Sequence, residues 1–508
     1  MAQVTRQRVL PIQFRLPPRV LGTMVFRRLL CFSLAVEGLA DMDFIAKTFG
    51  QDMDFLWGTA TASFQVEGAW NASGRQPTIW DDWFHSGAHA RRYDADSYNW
   101  GDVADDFYHQ WPQDVERIGS LGFNAFRLSI AWSRVMPYNV PNREGVDYYR
   151  RLLTNLKERG IAPFVTLYHW DLPNDKDWLD PKIVEQFETY VDYCFEVFGD
   201  LVTHWLTFNE PWSFCGAYGG DRSPPATNST AAKYLCGHHM LLSHSAAVRL
   251  YRAKYQADQL GKIGITLNYD WGEPYNTSSE ADQYAAQLHH DFNLGWFADP
   301  VYLTGDYPES MKRLLGEDLP KFTAQQSQEL KGTFDFYGMN HYTTSWIRAQ
   351  EGVVPPLSST HQRDDGTFIG PQQQSSWLYV VPWGIESCLL YIHSRYGDVK
   401  ELVITENGVD VKGESQVPFP DILNDTVRVN YYDQYLTHVA QARWKGVPVK
   451  GYFAWSLLDN LEWNDGYEMR FGITHVDFSV SPPKRYAKAS SKWFEALFDL
   501  MTPLTIIS

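Results

Sequence analysis

Cysteine is scarce: 508 residues carry five. So few thiols in so long a chain exclude a disulfide scaffold, and no Cys-x-x-Cys or similar metal-ligand spacing occurs. Positive charge is also short. Lys and Arg number 44 against 61 Asp and Glu, a formal net charge of −17. That balance argues against a nucleic-acid partner, because neutralising phosphates takes basic patches. It also repels anionic substrates. No apolar run is long enough to span a bilayer as a helix. Low-complexity tracts and short repeats are absent, and no long linker divides the chain.

Aromatic residues are abundant. They make up 15% of the chain and include 20 Trp. Indoles offer flat apolar area with one polar N–H, which suits the C–H faces and hydroxyl edges of sugars. Large barrels also bury many Trp, so only those inside motifs carry weight. The first 36 residues differ in character, with six Arg and no Asp or Glu. A short apolar run, Leu29–Val36, follows Arg27 and Arg28. This has the shape of a secretory signal. An organellar leader or a mis-assigned start are the other readings. Sequons at Asn71, Asn228, Asn276 and Asn424 lean towards secretion, with a cytoplasmic location as the alternative.

Eight β-like runs recur: Phe55–Ser63, Ala125–Trp132, Ala162–Trp170, Thr203–Pro211, Lys262–Tyr269, Phe334–Tyr342, Leu402–Gly408 and Val449–Leu458. Each is rich in β-branched or aromatic residues and ends at Gly, Pro or a polar turn. Stretches of helical period separate most of them, at Val146–Arg159, Pro181–Phe198, Ala231–Tyr255 and Val427–Trp444. Strand and helix alternating in this way predict an α/β fold, a single (β/α)8 TIM barrel with elaborated loops at its C-terminal mouth. The domain is expected from residue 54 to 508, after an N-terminal extension over 1–53. In such barrels the chemistry sits at the carboxyl ends of the strands.

Two of those ends carry the same signature. Thr207-Phe-Asn-Glu-Pro211 and Ile404-Thr-Glu-Asn-Gly408 each place a glutamate beside an asparagine and a chain breaker. A carboxylate pair delivered to one mouth can flank a glycosidic bond and cleave it by acid and nucleophile chemistry. With Phe55-Leu-Trp-Gly-Thr-Ala-Thr-Ala-Ser-Phe-Gln-Val-Glu-Gly-Ala69, these motifs resemble family 1 of the glycoside hydrolases, the β-glucosidase family. The resemblance runs in order from Phe55 to about Phe498.

The resemblance implies a retaining β-glycosidase acting on terminal β-glucosyl, galactosyl or fucosyl residues. It implies Glu210 as acid/base and Glu406 as nucleophile. Arg127 and Tyr342 are then the partners that hold Glu406 ionised. Gln65 and Glu462 resemble the family's grip on the distal hydroxyls, where an amide and a carboxylate can bind neighbouring hydroxyls together. His169 and Asn209 look like partners of the 3- and 2-hydroxyls. Trp455 would stack under the ring, Trp463 would lend its N–H, and Trp212 resembles a platform for the leaving group. No cofactor or metal is implied, and the expected ligand is a neutral small-molecule glycoside or oligosaccharide. A transglycosidase and a non-catalytic sugar-binding barrel are the alternatives.

Three segments depart from the family's pattern. Asn174–Asp180 is short, Gly219-Gly-Asp-Arg-Ser-Pro-Pro225 replaces a longer Gly-rich loop, and the turn after Arg134 is abbreviated. All three fall at strand ends. Either they open the leaving-group site to bulkier aglycones or they mark deletions.

Overall fold

The computed structural model describes residues 39–93 and 96–502. The leader-like segment therefore lies outside the described residues. One compact unit spans Asp41–Ser508. Its centre is a closed barrel of eight parallel strands: β1 Leu56–Ala60, β2 Ala125–Ser129, β3 Ala162–Thr166, β4 His204–Asn209, β5 Lys262–Asn268, β6 Phe336–Asn340, β7 Leu402–Asn407 and β8 Val449–Ala454. Neighbours in sequence are neighbours in the barrel, and β8 closes against β1 with Leu56 opposite Gly451. The TIM-barrel expectation holds. The expected runs begin within two residues of the strands but continue past their ends. The extra residues are apolar because they pack over the barrel mouth, where Ile130, Leu167, Leu457 and Leu458 are buried.

Burial on both faces explains the near-continuous apolar strands. Phe164, Phe336 and Phe453 meet inside the barrel, with ring centroids 4.8–5.7 Å apart. A Cβ on Gly58 would lie 2.3 Å from the Phe453 ring, so glycine makes room for that layer. The interior is a packed core rather than a pore.

Helices cover the outside: α1 Leu39–Phe49, α2 Arg143–Glu158, α3 Ile183–Phe198, α4 Pro211–Gly219, α5 Thr230–Lys254, α6 Trp383–Arg395, α7 Thr426–Trp444 and α8 Ala489–Met501. The helix α2 shows the logic. Tyr149, Leu152, Leu153 and Leu156 recur at helical spacing and are fully buried. Each buried leucine stabilises by roughly 2 kcal/mol. The helix stops before Gly160, whose φ of 72° suits a helix terminus. The helix α1 lies ahead of the expected domain start at residue 54, and its Met42, Ile45 and Phe49 join the main core. At the other end, α8 seals the β8–β1 seam, with Phe498 5.6 Å from Trp57.

The abbreviated segments are well packed. Trp178, within Asn174–Asp180, is fully buried, and its backbone N–H donates to the Tyr218 hydroxyl. The Gly219–Pro225 loop is pinned by an ion pair from Arg92 to Asp221 and by a 2.6 Å bond from the Asn464 amide to Ser223. The four sequon asparagines are all exposed. Among the described residues no helix is long and apolar enough to cross a membrane.

Candidate active site

The strands β4 and β7 deliver the two glutamates, and both strands are irregular there. The β4–β5 register shifts between Leu206 and Asn209, and the β7 register shifts beside Glu406 against both neighbours. Such bulges re-aim side chains at barrel rims. Glu210 follows the β4 shift with a left-handed φ of 43°, then Pro211 opens α4. Proline suits that position because its missing N–H would have no partner in the first turn.

Glu406 is held from two sides. Arg127 on β2 donates to one carboxylate oxygen at 2.5 Å, and the Tyr342 hydroxyl donates to the other at 2.6 Å. Arg127 also donates to the Asn209 side-chain oxygen at 2.7 Å. Asn340, at the end of β6, donates to Asn209 at 3.0 Å and to Glu210 at 2.7 Å. One continuous network therefore joins Glu406, Arg127, Asn209, Asn340 and Glu210. Ser213, one helical turn after Glu210, donates to its other oxygen at 2.8 Å.

The two carboxyls sit in different fields. Burial, and then the charge of Glu406, push Glu210 up to about 8, against the pull of Asn340 and Ser213. Glu210 is therefore protonated at neutral pH. Glu406 faces a guanidinium and a phenol instead.

The remaining expected residues gather around this pair, with one exception. His169 shares a 3.0 Å bond with the Asn209 amide, and burial followed by Arg127 lowers its basicity, so the ring is neutral. Its Nδ1 is buried without a partner. Trp455 and Trp463 are each 6.1 Å from the His169 ring, both near-parallel to it. Gln65 donates to Glu462 at 3.3 Å, leaving its own carbonyl oxygen buried and unpartnered. Burial, then the nearby acids led by Asp465 and Asp410, raise Glu462 well above the usual carboxylate range. These unpartnered acceptors and donors are what a polyhydroxy ligand would satisfy.

Trp212 is the exception in making no hydrogen bond or ring contact with the others. It is half-buried against the core, with the Lys233 ammonium of α5 5.5 Å from its ring. A residue one step further along the helix is turned by about 100°, and Ser213 is the one that faces the cavity. That cavity, about 430 Å³, is lined by Trp80, Trp170, Ser213, Phe214, Trp463 and the Gly220–Pro224 loop. The residues missed from sequence are Asn340, Ser213, Trp170, Phe214 and Trp377. Trp377 is 43% exposed and meets Tyr342 edge-on at 5.9 Å. Asn340 and Trp170 lie inside the β-like runs Phe334–Tyr342 and Ala162–Trp170, close to Tyr342 and His169, so adjacency was the available signal. Among the described residues no group of three His, Cys, Asp or Glu is placed to hold a metal ion.

A buried acid–carboxylate pair at the mouth of a (β/α)8 barrel, ringed by indoles and amides, defines a barrel enzyme that cleaves glycosides. The chain belongs to Glycosyl hydrolase family 1, whose sequence profile matches residues 46–501. Beta-glucosidase 12 of Oryza sativa subsp. japonica is 43% identical over 475 residues, covering 87% of this chain and 91% of that protein. Beta-glucosidase 1B of Phanerodontia chrysosporium is 44% identical over 471 residues, covering 87% and 85%. Among solved structures, the family 1 β-glucosidase of Humicola insolens in complex with glucose superposes with a TM-score of 0.83 at 38% identity, covering 88% of this chain and 98% of that one.

Proposed function

We infer that the protein is a retaining β-glucosidase in which Glu210 is the acid/base and Glu406 the nucleophile. The observation that carries the assignment is the contrast between the two carboxyls: Glu210 is lifted to about 8 while Glu406 is braced by Arg127 and Tyr342. Glu406 attacks the anomeric carbon as Glu210 gives its proton to the departing glycosidic oxygen. The resulting glycosyl ester is neutral, so of the two causes that kept Glu210 protonated, burial and the Glu406 charge, the second is gone. Glu210 then takes a proton from water, and the hydroxide formed cleaves the ester with net retention.

The family's sugar-binding positions are filled by Gln65, His169, Asn209, Trp455, Glu462 and Trp463. Asn209 sits beside both carboxylates and accepts from Arg127, so a hydroxyl bound there feels the charge that develops at the reacting centre. The formal net charge of −17 disfavours a phosphorylated sugar, which selects a neutral glycoside.

The test is a panel of nitrophenyl glycosides assayed with wild type and Glu406→Gly. The variant is expected to lose turnover by at least 10⁴-fold, on the order seen when a catalytic nucleophile is removed. Added azide should restore it and yield the α-glycosyl azide. Full activity of Glu406→Gly without azide would remove the nucleophile assignment.

A further inference from the structure

The leaving-group cavity has an unusual floor. It is formed by one face of α4, where Ser213, Gly216 and Ala217 follow one another at helical spacing, and is completed by Gly220. Trp80, Trp170, Phe214 and Trp463 line the rest of it, with Asp221, Arg222 and Ser223 of the loop after α4. The cavity begins at the catalytic acid, since Ser213 donates to Glu210, and at the sugar site, since Trp463 lines both.

Gly216 is the odd residue. A glycine inside a helix costs about 1 kcal/mol relative to alanine. Here nothing in the backbone asks for it: its φ is not in the left-handed region. Nothing around it asks for it either. A Cβ built at Gly216 meets no heavy atom within 4 Å, in contrast to Gly58, Gly237 or Gly408, whose Cβ atoms would strike neighbours at 2.5 Å or less. The space that a side chain would fill is the cavity itself. The helix cannot shift to occupy it, because the adjacent Cys215 is bonded to Cys236 of α5.

We propose that Gly216 is a specificity-determining residue that opens the leaving-group cavity to flat, fused-ring aromatic aglycones lying over the α4 face beside Trp170. This rests on the glucosidase reading and adds to it the class of leaving group. The physical reason is the shape: a volume of about 430 Å³, lined by Trp80, Trp170 and Trp463 and with a bare floor at Gly216, has room for a fused-ring aglycone. A single-ring leaving group spans only its inner part.

The experiment compares kcat/KM for a fused-ring glucoside (4-methylumbelliferyl or a flavonol glucoside) with that for 4-nitrophenyl glucoside, in wild type, Gly216→Ala and Gly216→Trp. Gly216→Trp should lower the ratio of the two at least tenfold. Gly216→Ala, whose methyl is too short to cross the cavity, should move it less than threefold and raise Tm. Binding of the free fused-ring aglycone, followed by quenching of tryptophan fluorescence, should weaken at least tenfold in Gly216→Trp. An unchanged ratio and unchanged aglycone binding in a folded Gly216→Trp would overturn the proposal. So would an equal loss on both substrates. If wild type itself fails on 4-nitrophenyl glucoside, the glucosidase reading falls, and the aglycone-binding comparison still decides the role of Gly216.

Discussion

At the scale of single residues, Glu210 shows how function works against stability. The folded protein keeps this carboxyl protonated up to about pH 8, whereas its ordinary value is 4.5. Between those values the unfolded chain releases a proton that the native state retains. Stability is therefore undiminished below pH 4.5 and falls as pH rises towards 8. A raised carboxyl differs in this from a salt-bridged one. Glu210→Gln removes the titration and keeps an amide that can meet Ser213 and Asn340. It should gain up to about 3 kcal/mol at pH 7, read as a higher Tm, with the gain vanishing below pH 4.5. The same substitution should abolish the alkaline limb of kcat/KM near pH 8 for a dinitrophenyl glucoside, whose leaving group needs no proton. A Tm difference that is flat with pH would contradict the raised value. The Glu210–Glu406 pair was legible in sequence because each stands next to an asparagine at the end of an apolar run. Asn340 and Ser213 were not, because their importance lies in which oxygen they reach, and only the fold brings them there.

At the scale of elements, α4 is the piece that joins chemistry to specificity. It starts at the catalytic acid, presents Ser213 and Gly216 to the cavity and Trp212 to α5, and is tied to α5 by the Cys215–Cys236 bridge. Trp212 was expected to face the ligand because it follows the acid in sequence. Helical geometry puts Ser213, not Trp212, in reach of Glu210, which no motif could reveal. The bridge was equally hidden, since two cysteines 21 residues apart carry no signature of pairing. Closing a loop of that size stabilises by about 3 kcal/mol, mainly by restricting the unfolded chain. Reducing agent, or the Cys215→Ala/Cys236→Ala pair, should lower Tm by a few °C. A Tm indifferent to reductant in wild type would mean that the bridge is not formed. Strand starts and helix positions were readable because apolar spacing is set by the barrel wall. Strand ends were not, because the mouth loops are as apolar as the strands they extend.

At the scale of the whole molecule, a buried ionic cluster fastens the C-terminal segment to the barrel. The Lys488 ammonium, wholly buried just ahead of α8, donates to Asp459 at 2.7 Å and to Glu414. Arg428 on α7 bonds Glu414 and Asp425, and Asp425 in turn accepts from Ser490 of α8. Four distant stretches of chain meet there, so motif reading gave no hint of it. Burial pushes the Asp459 carboxyl up, but Lys488, His475, Arg470 and Arg428 outweigh it and hold the group below its usual range. Glu414 is lowered in the same way, with Arg428 and Lys488 overcoming burial. For depressed carboxylates the sign is the reverse of Glu210: their contribution is present above about pH 4 and is lost as pH falls, because the unfolded chain takes up protons first. Lys488→Met deletes the cation and leaves two carboxylates buried without it, which costs about 3–5 kcal/mol. The variant should melt well below wild type at pH 7. The gap should narrow as pH drops below 4, where the two acids are protonated in the variant. Parallel Tm curves for the two proteins from pH 7 to pH 3 would show that the cluster contributes nothing specific to holding α8 on the barrel.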